Sequence, residues 1–272
     1  MIFAQISDTH IRPPGRLAYG KVDTAAALER CVAHLNALRP RPAFAVVTGD
    51  LVDFGSPAEY RRLRELMAPL AMPYYVIPGN HDERGALRDA LRDAAYLPSE
   101  GEFLHYTIEG YEPRFLALDS VVAGAPYGEL GPARLAWLEA RLGEAPDRPT
   151  VLLIHHPPFL TGIRHMDVQN CRDGAALGAV VERHRQVRAL LCGHVHRFTT
   201  TLWHGIAATI CPSPSHAVAL DLDPAGPSAF ALEPPSCLVH LWSEGRLVSH
   251  VSFIGSFDGP YPFYDAEGKL ID

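Results

Sequence analysis

The chain has 272 residues, 47% of them hydrophobic, enough to bury a large core in one domain with an elaborated end. Its net charge of −7 at pH 7 supplies no basic field for gripping a polyanion, so a long nucleic acid is not an expected partner. Five scattered cysteines without a C-x-x-C pair exclude a disulfide framework and a zinc knuckle. No apolar run or charged leader suggests a membrane partner, so a cytoplasmic protein is expected.

In chain order, short β-branched runs bounded by turn residues predict strands over Ile2 to Ile6, Phe44 to Val47, Tyr74 to Ile77, Phe115 to Leu118, Val151 to Ile154 and Val187 to Cys192. Helices fill most of the gaps. Leu28, Val32 and Leu35 repeat at helical spacing within Asp23 to Leu38. Ser56-Pro57-Ala58-Glu59 forms a capping box with proline at the first helical position, predicting a helix that ends near Met67. Leu135, Leu138 and Leu142 mark a third helix, and Leu177 to His184 a fourth.

This alternation predicts a layered α/β fold whose strands are nearly continuous apolar runs. Beyond residue 200 the pattern becomes β-rich: Thr199 to Trp203, Ile206 to Ile210, Ala217 to Leu220, Cys237 to Trp242 and Arg246 to Phe253. A second sheet drawn largely from residues 199–255 is expected, completing a domain over 1–255. Residues 223–236, rich in proline, read as a surface loop, and 256–272 as a tail. Its Tyr261, Phe263 and Tyr264 either pack on the core or meet another subunit. Trp137, Trp203 and Trp242 read as core.

The fourteen histidines cluster beside Asp, Asn and Gly. Polar groups follow the strand signals in five places: Asp8 with His10, Asp50 with Asp53, Asn80 with His81, His155 with His156, and His194 with His196. All are expected at one edge of one sheet, because loops at the carboxyl ends of strands converge there. Each pair alone is weak, since a strand-end histidine is commonly a structural hydrogen-bonding group. Together they form a set of oxygen and imidazole donors without thiolate, suited to Mn, Fe, Co or Zn, whereas a structural zinc site would have closed with cysteines. Seven donors exceed the need of one ion, so two divalent metal ions bridged by a carboxylate are expected.

Asp8-x-His10, Gly49-Asp50, Gly79-Asn80-His81-Asp82, His155-His156 and Gly193-His194-Val195-His196 resemble the calcineurin-like metallophosphoesterases over about residues 1–200. The details look most similar to the bacterial class III cyclic nucleotide phosphodiesterases and the binuclear glycerophosphodiesterases. The less specific stretches Cys211 to Leu222 and Glu233 to Trp242 extend the likeness. The resemblance implies a four-layer α/β/β/α sandwich with a binuclear site at the strand ends. Carried over, Asp8, His10, Asp50 and His196 would hold one ion, and Asp50 would bridge to a second held with Asn80, His155 and His194. The family's ligand stands two residues before the first proline of its motif, which favours His155 over His156 and leaves His156 behind it.

The neutral amide of Asn80 then has a physical reason. Two divalent ions, two carboxylates and a hydroxide leave a single net positive charge, which another carboxylate would cancel and an amide oxygen preserves. In the family the histidine equivalent to His81 stabilises phosphate or protonates the leaving alkoxide, a role suited to imidazole. Asp53 stands where protein phosphatases of the superfamily orient that histidine, or else caps its own turn. His216 either lines a substrate pocket or is a structural strand histidine. Arg12, Arg16 and Lys21 read as a solvated loop.

Two departures narrow the branch. Purple acid phosphatases carry tyrosine where Asp53 stands and glycine where His10 stands. Phosphoprotein phosphatases follow the second aspartate with an arginine that grips a phosphate dianion, whereas here Phe54 follows. The expectation is hydrolysis of a small phosphodiester, such as a cyclic nucleotide or glycerophosphodiester, by in-line attack of metal-activated hydroxide. The alternatives are a phosphomonoesterase or nuclease of the same fold, or a binding module without catalysis. Pairing of copies through the C-terminal region, common in similar proteins, is also implied.

Overall fold

The computed structural model describes residues 1–271. The first half of the chain runs β1 (Ile2–Ile6), α1 (Thr24–Ala37), β2 (Ala45–Thr48), α2 (Pro57–Met67), β3 (Tyr74–Ile77), α3 (Arg84–Ala90), β4 (Tyr106–Ile108), β5 (Arg114–Leu118) and α4 (Gly131–Gly143). Next come β6 (Thr150–Ile154), α5 (Arg164–Asp167), α6 (Gly174–Arg183), β7 (Val187–Cys192), β8 (Thr199–Trp203) and β9 (Ile206–Ile210). The chain closes with β10 (Ala217–Val218), β11 (Phe230–Ala231), β12 (Ser236–Ser243) and β13 (Arg246–Phe253).

The predicted helix signals act as expected. Asp23 accepts from the Ala26 amide to start α1, which buries Leu28, Val32 and Leu35. Ser56 and Glu59 satisfy each other's backbone N–H groups at the start of α2. All five cysteines are free and buried.

Two sheets share the strands, in the orders β13-β12-β1-β2-β3 and β4-β5-β6-β7-β9-β8, with β10 and β11 forming a separate ribbon. Side-chain alternation shows how the second sheet is sandwiched. Phe115, Ala117, Val151, Leu153, Ala189 and Leu191 share one core with Phe3, Ile6 and Val47 of the first sheet. Their sequence neighbours Leu116, Leu118, Leu152, Ile154 and Leu190 pack with Leu138 of α4 and Leu177 of α6. Burial on both faces explains why these strands read as unbroken apolar runs.

Two expectations need correction. The region 199–255 does not build a sheet of its own: β8 and β9 extend the sheet of β4 to β7, while β12 crosses back to pair antiparallel with β1, Ile2 opposite Leu241. Period-two alternation identifies a half-buried strand but not the sheet edge that receives it. For the same reason the polar clusters do not line one sheet. Those after β1, β2 and β3 come from the first sheet, and those after β6 and β7 from the second.

In the tail, Tyr261, Phe263 and Tyr264 do not pack on the core and stay 70%, 77% and 59% exposed. Among the described residues no helix is long and apolar enough to cross a membrane.

Candidate active site

The strand ends of the two stacked sheets meet edge to edge, and the junction is fixed by short polar bonds. Gln5 on β1 donates to the Cys192 carbonyl at the end of β7 (3.0 Å), and the His194 amide donates to the Asp8 carboxylate (3.0 Å). Ser213, from the stretch after β9, donates to the Asp8 carbonyl (2.9 Å). Gly79 has no room for a side chain, because a Cβ there would lie 2.3 Å from Asp50 Oδ1. The turns are sharp: Asp8, His10, Asp50, His194 and His196 have φ of 55°, 43°, 47°, 76° and 54°, five of the eight non-glycine positive φ values among the described residues. L-residues rarely adopt this region, and its concentration at one place points to a function.

Asp8, His10, Asp50 and His196 come together with one ligand-type atom each, all within 4.8 Å of one another. His155, His156 and His194 form a second such group. Asp50 lies between the two, its Oδ2 being 3.6 Å from His10 Nε2 and 3.3 Å from His155 Nε2. His81 joins the rim, its amide donating to Asp50 Oδ1 (2.9 Å).

Hydrogen bonds at the back of each ring set which nitrogen faces inward. His10 Nδ1 donates to Asp53 Oδ1 (3.1 Å), and His155 Nδ1 donates to the Thr48 carbonyl (2.8 Å). Both therefore present Nε2 to the centre, as metal-holding histidines do when an outer oxygen fixes the ring. Asn80 Oδ1 and His155 Nε2 are buried without any hydrogen-bond partner. Buried polar atoms are ordinarily paired, so these two orphans, with His196 Nε2 facing His10 Nε2 at 3.1 Å, fit residues shaped to hold cations.

The electrostatics agree. Burial raises Asp8 to about 6, whereas at Asp50 burial is outweighed by His155, His81 and His10, which hold it well below the usual carboxylate range. Burial would lower His155, but Asp50 lifts it to about 9. Burial and the neighbouring rings push His194 down to about 3 and His196 well below an ordinary imidazole. Without a cation the two carboxylates thus draw protons onto His155 and His10, while His194 and His196 stay neutral, an Asp/His donor set whose positive charge a metal ion would supply instead.

A cavity of about 390 Å³ opens onto the cluster and is lined by Asn80, His81 and His216, together with Tyr19, His165, Gln169 and Phe230. His216 therefore sits on the cavity wall, its ring 4.6 Å from that of His196. His81 Nδ1 donates to the Asp53 carbonyl (2.8 Å), which leaves Nε2 for the cavity. Asp53 serves His10 through its carboxylate and His81 through its backbone. Arg12 departs from the solvated-loop reading, donating to Asp53 Oδ2 at 2.7 Å, while Arg16 and Lys21 are exposed. Tyr19, His165, Gln169 and Phe230 carry no motif, so only the folded chain reveals them.

Fold and site together define a two-sheet α/β/β/α phosphoesterase with an Asp/His cluster at its strand ends, able to take up metal. Residues 1–198 match the calcineurin-like phosphoesterase family model, and the chain belongs to that family. It is 46% identical, over all of both chains, to a probable glycerophosphodiester phosphodiesterase of Arcobacter nitrofigilis. It is 34% identical to the 3',5'-cyclic adenosine monophosphate phosphodiesterase of Escherichia coli, over 91% of this chain and 87% of that one. A dimetal phosphatase from Danio rerio shares the fold, with a TM-score of 0.67 at 16% identity over 94% of this chain and 96% of that one.

Proposed function

We propose that the protein is a metal-dependent phosphoric diester hydrolase acting on small diesters, in the class of glycerophosphodiesters and cyclic nucleotides. One observation carries this: a buried carboxylate, Asp50, stands between two groups of metal-ligand-type side chains, within 3.6 Å of His10 Nε2 on one side and 3.3 Å of His155 Nε2 on the other. Asp8, His10, Asp50 and His196 would hold one divalent ion, and Asp50, Asn80, His155 and His194 the other, drawn from Mn, Fe, Zn or Co. When bound, the ions supply Lewis-acid charge against phosphoryl oxygens and make water nucleophilic near neutral pH.

The chain's own residues do the rest. Asn80 donates an amide oxygen and so leaves the positive charge of the site intact for an anionic diester. His81 is held at Nδ1, so its Nε2 is free to hand a proton to the departing alkoxide. His216 and Tyr19 wall the cavity beside His10 and His196 and limit the size of the alcohol group esterified to the phosphate.

No Lys or Arg is among the described residues lining this cavity. Arg12 spends its charge on Asp53 and lies 4.3 Å over the Phe54 ring, and Arg197 pairs with Glu233. A phosphomonoester dianion thus finds no guanidinium clamp, which favours a diester monoanion. The test is the manganese-loaded protein with bis(p-nitrophenyl) phosphate against p-nitrophenyl phosphate. Faster turnover of the diester is expected, and a preference for the monoester overturns the substrate class. Elemental analysis showing no bound metal after loading overturns the mechanism.

A further inference from the structure

The three residues after His81 tie its turn to two different sheets. Asp82 accepts from the Gly79 amide (2.8 Å) and from the Tyr60 hydroxyl (2.9 Å), and the Glu83 amide donates back to that hydroxyl (3.0 Å). These bonds hold the turn to the first sheet and to α2. Arg84, the first residue of α3, reaches the other way, to Asp119. Its Nε and Nη2 donate to the two carboxylate oxygens at 2.6 and 2.8 Å, a fork of fixed geometry.

Asp119 is built to receive that fork. Its side chain is fully buried, and each oxygen also accepts a backbone amide, from Leu104 (3.0 Å) and from Val121 (2.9 Å). Arg84 Nη2 donates besides to the Val121 carbonyl (2.7 Å), and the guanidinium carbon lies 5.3 Å over the Phe103 ring. Asp119 directly follows β5, whose last residue Leu118 pairs with Ile154 of β6, and Ile154 directly precedes His155. The fork therefore refers the His81 turn to the strand ends of the second sheet, beside His155. A buried ion pair adds little net stability over an apolar contact of the same shape, so what this one offers the fold is position.

Resting on the reading of His81 as the proton donor, we infer that Arg84 and Asp119 are positioning residues that set the distance from His81 Nε2 to the departing oxygen. As the bond from phosphorus to that oxygen breaks, negative charge gathers on the oxygen, and the proton handed over from Nε2 neutralises it only within hydrogen-bonding reach. Asp50 and the Asp53 carbonyl orient His81 from within the first sheet, through its amide and its Nδ1. The Arg84 fork relates it to the second.

The experiment measures kcat and KM of the manganese-loaded protein on ethyl aryl phosphates whose leaving groups run from p-nitrophenol to unsubstituted phenol. A missing proton donor harms the poorer leaving group most, so the ratio of unsubstituted to nitro turnover reports proton donation and is blind to a loss of folded protein. Arg84→Ala should lower that ratio by about tenfold or more, in kcat rather than KM, in the same direction as His81→Ala, since a misplacement of about 1 Å can cost about 10²-fold. Arg84→Lys keeps the charge without the fork and should fall between, and it supplies the answer where the alanine variant fails to fold. Arg64→Ala frees the other end of α3, where Arg64 donates to the Ala90 carbonyl and to Asp93, and should keep the wild-type ratio. A wild-type ratio in both Arg84 variants beside a lowered one in His81→Ala overturns the inference and leaves His81 in its role. Metal lost from the Arg84 variants by elemental analysis, or an equal drop in Arg64→Ala, also overturns it, tracing the effect to the donor cluster or to α3 as a whole. A wild-type ratio in His81→Ala, or an inactive wild type, removes the proton donor and this inference with it.

Discussion

Asp53→Asn isolates the contribution of a residue that need touch neither ion nor substrate. The carboxylate accepts from His10 Nδ1 at 3.1 Å with one oxygen and from Arg12 at 2.7 Å with the other. An asparagine offers a single oxygen, so its NH2 must face one of two donors. Whichever way it turns, either His10 loses the acceptor that fixes its tautomer or Arg12 meets a like donor. His10 is 1% exposed, so water cannot replace the lost acceptor. Removing the outer partner of a metal-holding histidine costs about 10–100-fold in affinity or activity, equivalent to roughly 1.4–2.7 kcal/mol. The charge-assisted bond lost is worth about 1.5–3 kcal/mol, which agrees. Manganese titration read together with diester turnover is the assay, and the ion held by His10 should weaken by that factor. Arg12→Gln is the control: its side chain is 20% exposed, so water screens the pair and a smaller loss is expected. Wild-type affinity and turnover in Asp53→Asn would show that His10 needs no orienting carboxylate.

The same geometry sets three further outcomes. His81→Ala should keep both ions by elemental analysis yet lower turnover by about 10²–10⁴, and unaltered turnover would remove His81 from the reaction. Chelation should lower the melting temperature and added manganese restore it, by about 2.7 kcal/mol at one hundred times the dissociation constant, whereas a melting curve indifferent to metal would contradict a site built from orphaned donors. His240, stacked on Phe3 with its Nε2 donating to Gln5 Oε1 (3.1 Å), is pushed by burial to about 3. Unfolded, an imidazole takes up a proton near pH 6.5 that the folded chain refuses, so stability is full above pH 6.5 and falls as pH drops toward 3. Between pH 6.5 and 5 the loss is about 2 kcal/mol, and urea unfolding of His240→Gln should lack that part of the slope.

The site was legible in the sequence because its residues are tied to strand ends, and strand ends are local features. Asp8, Asp50, Asn80, His155 and His194 each fall one to three positions beyond an apolar run, and their chemistry is visible without knowing what they meet. The pairing of sheets was not legible in the same way. Nothing in the alternation of Ser236 to Ser243 tells that it lies beside Ile2 rather than beside Ile206, since alternation reports which face is buried and not which strand is the neighbour. Arg12 was misjudged for a related reason: its partner Asp53 is 41 residues away, and loop composition reports solvent, not a buried carboxylate. The cavity wall was hidden too, because Tyr19 in the first loop and Phe230 on β11 are far apart in sequence and their rings stand 5.1 Å apart only once folded.

Five left-handed backbones at Asp8, His10, Asp50, His194 and His196 cost stability, about 1–3 kcal/mol each for non-glycine residues in sparsely populated conformations. Asp and His tolerate this region better than most L-residues, but five such turns in one place still need support from the packing around them. It is visible in the bonds that cross them: the Asp8 amide donates to the Gly49 carbonyl, the His10 amide to the Asp50 carbonyl, and the Gly193 amide to the His155 carbonyl. Asp82 adds a further tie, one oxygen accepting from both the Gly79 and Leu51 amides while Tyr60 donates to the other. Each turn is thus held by a neighbouring strand end rather than by itself. A donor cluster assembled this way is rigid before any cation arrives, so charge can be bound without a compensating cost in chain order. The strain is the consequence of aiming side chains from two sheets at one point, and that is why it concentrates where the sheets meet.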